Sequence, residues 1–161
     1  MDEKIVEDFN REYYQSDIWN WDNTKFMGVT TFKNPADMWT LQELIFNVKP
    51  SLIIETGTAH GGSALYMMVL LDAMARCGMK QGRVISIDIE ERKRPGHPHL
   101  QYYSGVSSTD PRLVAKVKRQ INKDKGMTTV IQKQITKNDL MAKTAKEMTA
   151  EIKEWKTRIQ K

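Results

Sequence analysis

Two groups of residues could do chemistry. The first is ETGTAHGGS, Glu55 to Ser63, between a short apolar run and a segment with helical character. Glycine lets a backbone approach a ligand closely, and the free amides of a helix N-terminus favour negative charge, so a carboxylate or phosphate could dock there. The second is Asp88, at the end of the next apolar run. In nucleotide-binding α/β folds an acid at that place accepts hydrogen bonds from ribose hydroxyls. Each feature has a plainer structural reading. Glu55 can be a strand-end carboxylate bound to local backbone amides, and Asp88 can cap the following loop. Gly57, Gly61 and Gly62 can simply permit a tight strand-to-helix turn.

The spacing narrows the ligand. No Gly-Lys-Ser/Thr follows Gly62, which excludes a Walker A loop. Ala59 stands where a dinucleotide fingerprint needs its middle glycine, and Asp88 lies 31 residues after Gly57, against about 20 in that pattern. Glu55 beside the turn would repel a pyrophosphate. It suits a ligand carrying an ammonium and a sulfonium, and S-adenosylmethionine has both, plus a ribose. His60 has the chemistry of a general base, or is a positioning residue. His97 and His99, with Glu90 and Glu91 nearby, form a metal-binding alternative whose spacing is not diagnostic. Trp19, Trp21 and Trp39 either face a substrate cleft or pack as core. Cys77 reads as a small apolar residue near a helix end.

These residues must be held by elements that the sequence also signals. Ile5, Val6, Phe9 and Tyr13 make a helical stripe over residues 2–15, and Met38, Leu41, Leu44, Ile45 and Val48 make another over Pro35 to Val48, capped by Asn34. The aromatic stretch between these helices fits neither a helix nor a long strand. SLIIE at 51–55 reads as a buried parallel strand, followed by a helix from Ser63 to about Gly78. RVISIDI, Arg83 to Ile89, is a second strand, Leu100 to Ser104 a third, and a helix follows from Asp110-Pro111 to about Lys125. Met127 to Ile131 is a candidate fourth strand. The order of strands and helices predicts an α/β unit with a mostly parallel sheet. If the fourth strand pairs beside the first, it forms an edge that needs cover. Residues 138–161 read as one polar helix whose Met141, Ala145, Met148, Ile152, Trp155 and Ile159 recur at spacings of 4, 3, 4, 3 and 4. That seam either pairs two chains as a homo-oligomer or lies against its own sheet. The parts are a helical and aromatic cover over 1–50, an α/β core over 51–132 and a C-terminal helix over 133–161.

Composition bounds the rest. The 161 residues are 40% hydrophobic and 28% charged, which suits one globular domain with a core. No apolar run approaches the about 20 residues of a membrane span. The acidic N-terminus is no secretory or transit leader, and a single cysteine points to a reducing cytoplasm. The net charge of +5 splits into −6 over residues 1–91 and +11 over 92–161. A solvated lysine-rich face explains the basic part better than nucleic-acid binding does.

ETGTAHGGSAL, the preceding KPSLI, the upstream DMWTLQELI, GRVISIDI and the later GVSSTDP together resemble the cephalosporin hydroxylase / rhamnosyl O-methyltransferase family, from Trp19 to Gln120. The resemblance implies a Rossmann-like sheet of the class I methyltransferase type that binds S-adenosylmethionine. It implies that Glu55, Gly57, Thr58, Ala59, His60, Gly61, Gly62 and Ser63 hold the methionine part, that Asp88 takes the ribose, and that Ser107 and Ser108 lie beside the adenine. Gln42 and Glu43 match the family's helix near the active site. The implied activity is O-methyl transfer to a hydroxylated small molecule or sugar, with Mg²⁺ possible in the family. No catalytic residue or metal ligand is identifiable. The family's later strand ending in an Asp-Ser-x-His-like motif is replaced by Val130-Ile131-Gln132-Lys133-Gln134. The expectation is therefore an incomplete sheet in a truncated or diverged member. Its alternative is an inactive remnant that serves as a binding or oligomerisation module.

Overall fold

The run at 51–55 is apolar because its strand is covered on both faces. The computed structural model describes residues 3–15, 23–123 and 129–133. Along the chain run α1 (Glu3–Gln15), β1 (Lys25–Phe26), β2 (Val29–Thr30), α2 (Pro35–Val48), β3 (Leu52–Thr56), α3 (Gly62–Arg76), β4 (Arg83–Ile87), β5 (Leu100–Tyr103), α4 (Pro111–Lys123) and β6 (Thr129–Lys133). Four strands pair in parallel in the order β5-β4-β3-β6. Side chains of a strand alternate between faces. Ile53 therefore joins Val84 and Leu100 against Ile45 of α2 and Ala64, Met67, Met68 and Leu71 of α3. Leu52 and Ile54 join Ile85 and Ile87 against Leu113 and Val117 of α4. Burial on both faces is what a parallel strand needs to read as continuously hydrophobic.

The same alternation places the polar residues of the site. Glu55 and Ser86 are register partners across β3 and β4, and parity turns both toward α3. The fourth strand falls beside β3 as expected, paired from Leu52↔Thr129 to Thr56↔Lys133. The helix expected over 138–161, with its seam, lies outside the described residues.

Three features depart from the sequence reading or add to it. β4 stops at Ile87 instead of running to Ile89, because the Asp88 side chain accepts from the Glu90 amide at 2.9 Å and turns the chain. Between α1 and α2, where the sequence offers neither a helix nor a long strand, the chain forms a short hairpin: Lys25↔Thr30 and Phe26↔Val29 pair antiparallel. Its two central residues, Met27 (φ 49) and Gly28 (φ 81), are both left-handed, the geometry that suits a two-residue hairpin. Strands two residues long carry no readable alternation. Phe26 anchors the hairpin by an edge-on contact with Tyr66 of α3, 5.1 Å between centroids. Finally, the apolar stripe of α1 stands exposed among the described residues, Ile5 at 62% and Phe9 at 55%.

Asn34 caps α2 as expected, its side-chain oxygen accepting from the Ala36 amide at 2.9 Å. Lys49 ends the helix in a left-handed conformation and donates its amide to Ile45 O.

Candidate functional site

The turn between β3 and α3 is held in left-handed conformations at Gly57 (φ 84), Ala59 (φ 48) and Gly61 (φ 86). Glycine adopts them without the Cβ clash that other residues suffer. The Gly57 amide donates to Ile87 O at 2.8 Å and the Gly61 amide to Thr58 O at 2.9 Å. Gly61 is the N-cap of α3 and has no side chain to accept from the first-turn amides. Those donors keep their attraction for negative charge. Gly62 has a different reason to be glycine. A Cβ there would lie 2.0 Å from Thr31 Oγ1 and 2.5 Å from Thr30 O, so the hairpin docks directly on the helix start.

Glu55 is completely buried. The Ser63 hydroxyl donates to its Oε1, and the Ser86 hydroxyl donates to its Oε2 at 2.6 Å. Thr58, itself buried, shares a 2.6 Å hydrogen bond with Ser86. Three hydroxyls from the turn, the helix and the neighbouring strand thus close around one carboxyl group. Both Glu55 oxygens face these hydroxyls. Hydroxyls bind it in place of the local amides of the plainer reading, and they tie the turn to the sheet.

Burial pushes the Glu55 carboxyl above its usual 4.5, with the Ser63 and Ser86 hydrogen bonds and the Lys33 charge acting against it. The folded chain therefore keeps this proton to higher pH than the unfolded chain does. Its contribution to stability is full below pH 4.5 and is lost as pH rises toward the raised folded value. Glu55→Gln removes the titration. In urea melts across pH, wild-type stability is expected to fall more steeply than that of the variant above pH 4.5; parallel curves would contradict the burial of this acid.

Asp88 lies at the carboxyl end of β4, across from the turn. Its Oδ2 accepts from the Ala59 amide at 2.7 Å and its Oδ1 from the Glu90 amide at 2.9 Å. The capping role is therefore real, and it is shared between the turn and the next loop. A carboxylate has about four lone-pair sites, so an acceptor position remains beside these bonds. Ile89, next in sequence, is 71% exposed, a large apolar side chain presented at the same rim. The Val106 amide donates to Asp88 O at 3.2 Å. That bond brings the loop of Ser107 and Ser108 to the same side, with both serines exposed and Ser107 bonded to Thr109.

Sequence reasoning missed three participants. Arg94 and Tyr102 pack against the turn: a Cβ on Gly61 would meet Tyr102 Oη at 3.0 Å. That hydroxyl is buried without a hydrogen-bond partner among the described residues, and desolvation, with the Glu55 charge adding, pushes it up to about 12. Lys33 lies within the field of Glu55 and Asp37, and burial lowers its ammonium pKa. None of the three carries a local sequence signal, because each reaches the site through tertiary packing, Tyr102 from β5 and Lys33 and Arg94 from loops.

The remaining candidates are dispersed. His60 faces Phe32 edge-on and its ring nitrogen lies 3.3 Å from Arg92 Nη1. His97 pairs with Asp72 at 2.8 Å. Among the described residues no three His, Cys, Asp or Glu side chains gather as a metal site, so His97, His99, Glu90 and Glu91 do not form one. Trp39 is 68% exposed and does not pack as core. Gln42 is half-buried and Glu43 exposed on the same helix. Cys77 is exposed, at the C-terminal end of α3. Trp19 and Trp21 lie outside the described residues. Among the described residues no helix is long and apolar enough to cross a membrane.

A parallel sheet with helices on both faces, and a glycine turn and an acid at adjacent strand ends, define a Rossmann-like α/β protein. The chain belongs to the Rhamnosyl O-methyltransferase/CmcI family, whose model matches residues 19–152. The match runs past Gln120, where the readable motifs end. The chain is 30% identical over 127 residues to a rhamnosyl O-methyltransferase of Mycobacterium tuberculosis (strain ATCC 25618 / H37Rv), covering 76% of this chain and 49% of the relative. It is 31% identical over 127 residues to that of Mycobacterium leprae (strain TN), covering 77% and 52%. The chain spans about half the length of the curated relatives it matches. A solved CmcI structure described as "Mg-SAM" shares the fold at a TM-score of 0.55 and 14% identity, over 83% of this chain and 55% of that one.

Proposed function

We propose that this protein binds S-adenosylmethionine at the carboxyl ends of β3 and β4, as the cofactor module of an O-methyltransferase acting on a hydroxylated small molecule or sugar. The observation that carries this reading is the pairing of Asp88 with the Ala59 amide across the glycine turn, at 2.7 Å. A carboxylate held beside the first-turn amides of α3 supports a ribose contact there.

The residues present fit such a ligand on three counts. The first-turn amides start at a residue with no capping side chain and can receive the carboxylate. The unpartnered Tyr102 hydroxyl stands against the same turn and retains a proton to donate. Ile89 offers exposed apolar surface next to Asp88, which suits a purine face. Glu55, in this reading, holds the turn in shape and does not touch the ligand. The family membership and the rhamnosyl O-methyltransferase relatives support the reaction class.

The cofactor supplies an electrophilic methyl group on a sulfonium. The protein's part is alignment of the acceptor oxygen with that methyl, a contribution of position more than of acid-base chemistry. Among the described residues no three His, Cys, Asp or Glu side chains gather as a metal site, and no step is assigned to Mg²⁺. Calorimetry with S-adenosylmethionine and S-adenosylhomocysteine tests the binding. Saturable heat with one site per chain is expected; no heat and no thermal shift at millimolar ligand, on a folded sample, would refute it. Methyl transfer to hydroxylated sugars, assayed on the same sample, tests the reaction separately.

A further inference from the structure

Arg94 is the most completely used side chain near the turn. It is 2% exposed, and its partner Asp88 is 10% exposed, with Nη2 and Oδ2 3.5 Å apart. Its Nε donates to Ala59 O at 2.9 Å. Nη1 donates to Ser104 Oγ at 2.5 Å and Nη2 to Glu90 O at 2.9 Å. The guanidinium also lies 5.8 Å from the centre of the Tyr102 ring. One planar fork therefore ties together the turn after β3, the loop after β4 and the end of β5.

We infer that Arg94 is a positioning residue that holds the Asp88 carboxylate and the glycine turn in register for the ribose of the nucleoside ligand. Asp88 reaches the Ala59 amide, and Arg94 grips the carbonyl of the same residue and the carboxylate that the amide binds. A fixed acceptor pays no ordering cost when a ribose diol arrives. Lysine cannot replace this function, because its single ammonium lacks the rigid fork that reaches three loops at once.

The ligand half of this inference rests on the cofactor reading above; the geometric half does not. The test compares S-adenosylhomocysteine with its 2′,3′-dideoxy analogue by calorimetry, for the wild type, Arg94→Lys and Ser104→Ala. The wild type should prefer the ribose ligand by about tenfold or more, the size expected of hydrogen bonds to a charged group. Arg94→Lys should lose that preference and bind the dideoxy analogue as the wild type does. Ser104→Ala removes one anchor at an exposed position and should shift the preference the same way by a smaller factor. Equal weakening of both ligands, or an unchanged preference in both variants, overturns the inference.

Hydrogen exchange gives a ligand-free readout on the same proteins. Exchange of the Ala59 and Glu90 amides, both donated to Asp88, should quicken in Arg94→Lys while the amides of β3 and β4 stay slow. If the wild type binds neither ligand, the cofactor reading falls, and these two amides decide alone: unchanged exchange overturns the role of Arg94.

Discussion

Asp88→Ala is expected to abolish detectable S-adenosylhomocysteine binding and to destabilise the fold together. Three losses coincide at this position. The Ala59 and Glu90 amides lose their acceptor, and the Arg94 side chain, 2% exposed, loses the acid it pairs with. Breaking a buried ion pair from one side typically costs about 3–5 kcal/mol, because the remaining charge stays desolvated. Asp88→Asn should separate the two effects. It keeps an oxygen for one of the amides and a comparable shape, so most of the stability should return while the ligand is bound more weakly. Urea denaturation and calorimetry on both variants check this. An Asp88→Ala protein as stable as the wild type would show that the contacts around Asp88 are not made in solution.

Gly62→Ala should be nearly as damaging to stability, because the added carbon acts through packing while the backbone amide stays in place. The added Cβ would stand 2.0 Å from Thr31 Oγ1 and 2.5 Å from Thr30 O. Thr31 is 1% exposed and its hydroxyl is bonded to Val29 O at 3.0 Å, so the hairpin has to lift as a unit. Overpacking typically costs about 1–3 kcal/mol, and displacement of backbone puts this case at the upper end. Gly78→Ala is the control: its φ of +89 is strained for alanine, but nothing lies within 4 Å of the added carbon. The strain alone should cost about 1–2 kcal/mol. A loss for Gly62→Ala no larger than for Gly78→Ala would mean that the hairpin does not sit on α3.

The parts of this fold that could be read from sequence are those with long, unambiguous patterns. SLIIE and RVISI alternate into two covered faces, and the helix at Pro35 to Val48 carries both of its signals, Asn34-Pro35 at one end and Lys49-Pro50 at the other. The glycine turn and Asp88 were legible because each sits directly at the end of such a strand. The hairpin at Lys25–Thr30 was not legible, since its strands are too short to show a period and its turn residue Met27 is an uncommon choice for a left-handed position. The buried setting of Glu55 was not legible for a different reason. Its type and place fit a ligand contact, but only the register that pairs it with Ser86, and the helix turn that brings Ser63 over it, show it closed from solvent. Arg94 was invisible in the same way: six residues beyond Asp88 in a charged loop, nothing in its neighbourhood distinguishes it from Arg92, which lies exposed and pairs with Glu90.

Cofactor binding at the strand ends can be observed directly by titrating S-adenosylhomocysteine into the isotopically labelled protein and following backbone amide resonances. Saturable shifts should concentrate at residues 57–63, at Asp88 and Ile89, and at the loop of Ser107 and Ser108, with the opposite ends of the strands, around Ser51 and Arg83, unmoved. Shifts centred elsewhere, or none at all on a folded sample at millimolar ligand, would contradict a nucleoside site at the ends of β3 and β4.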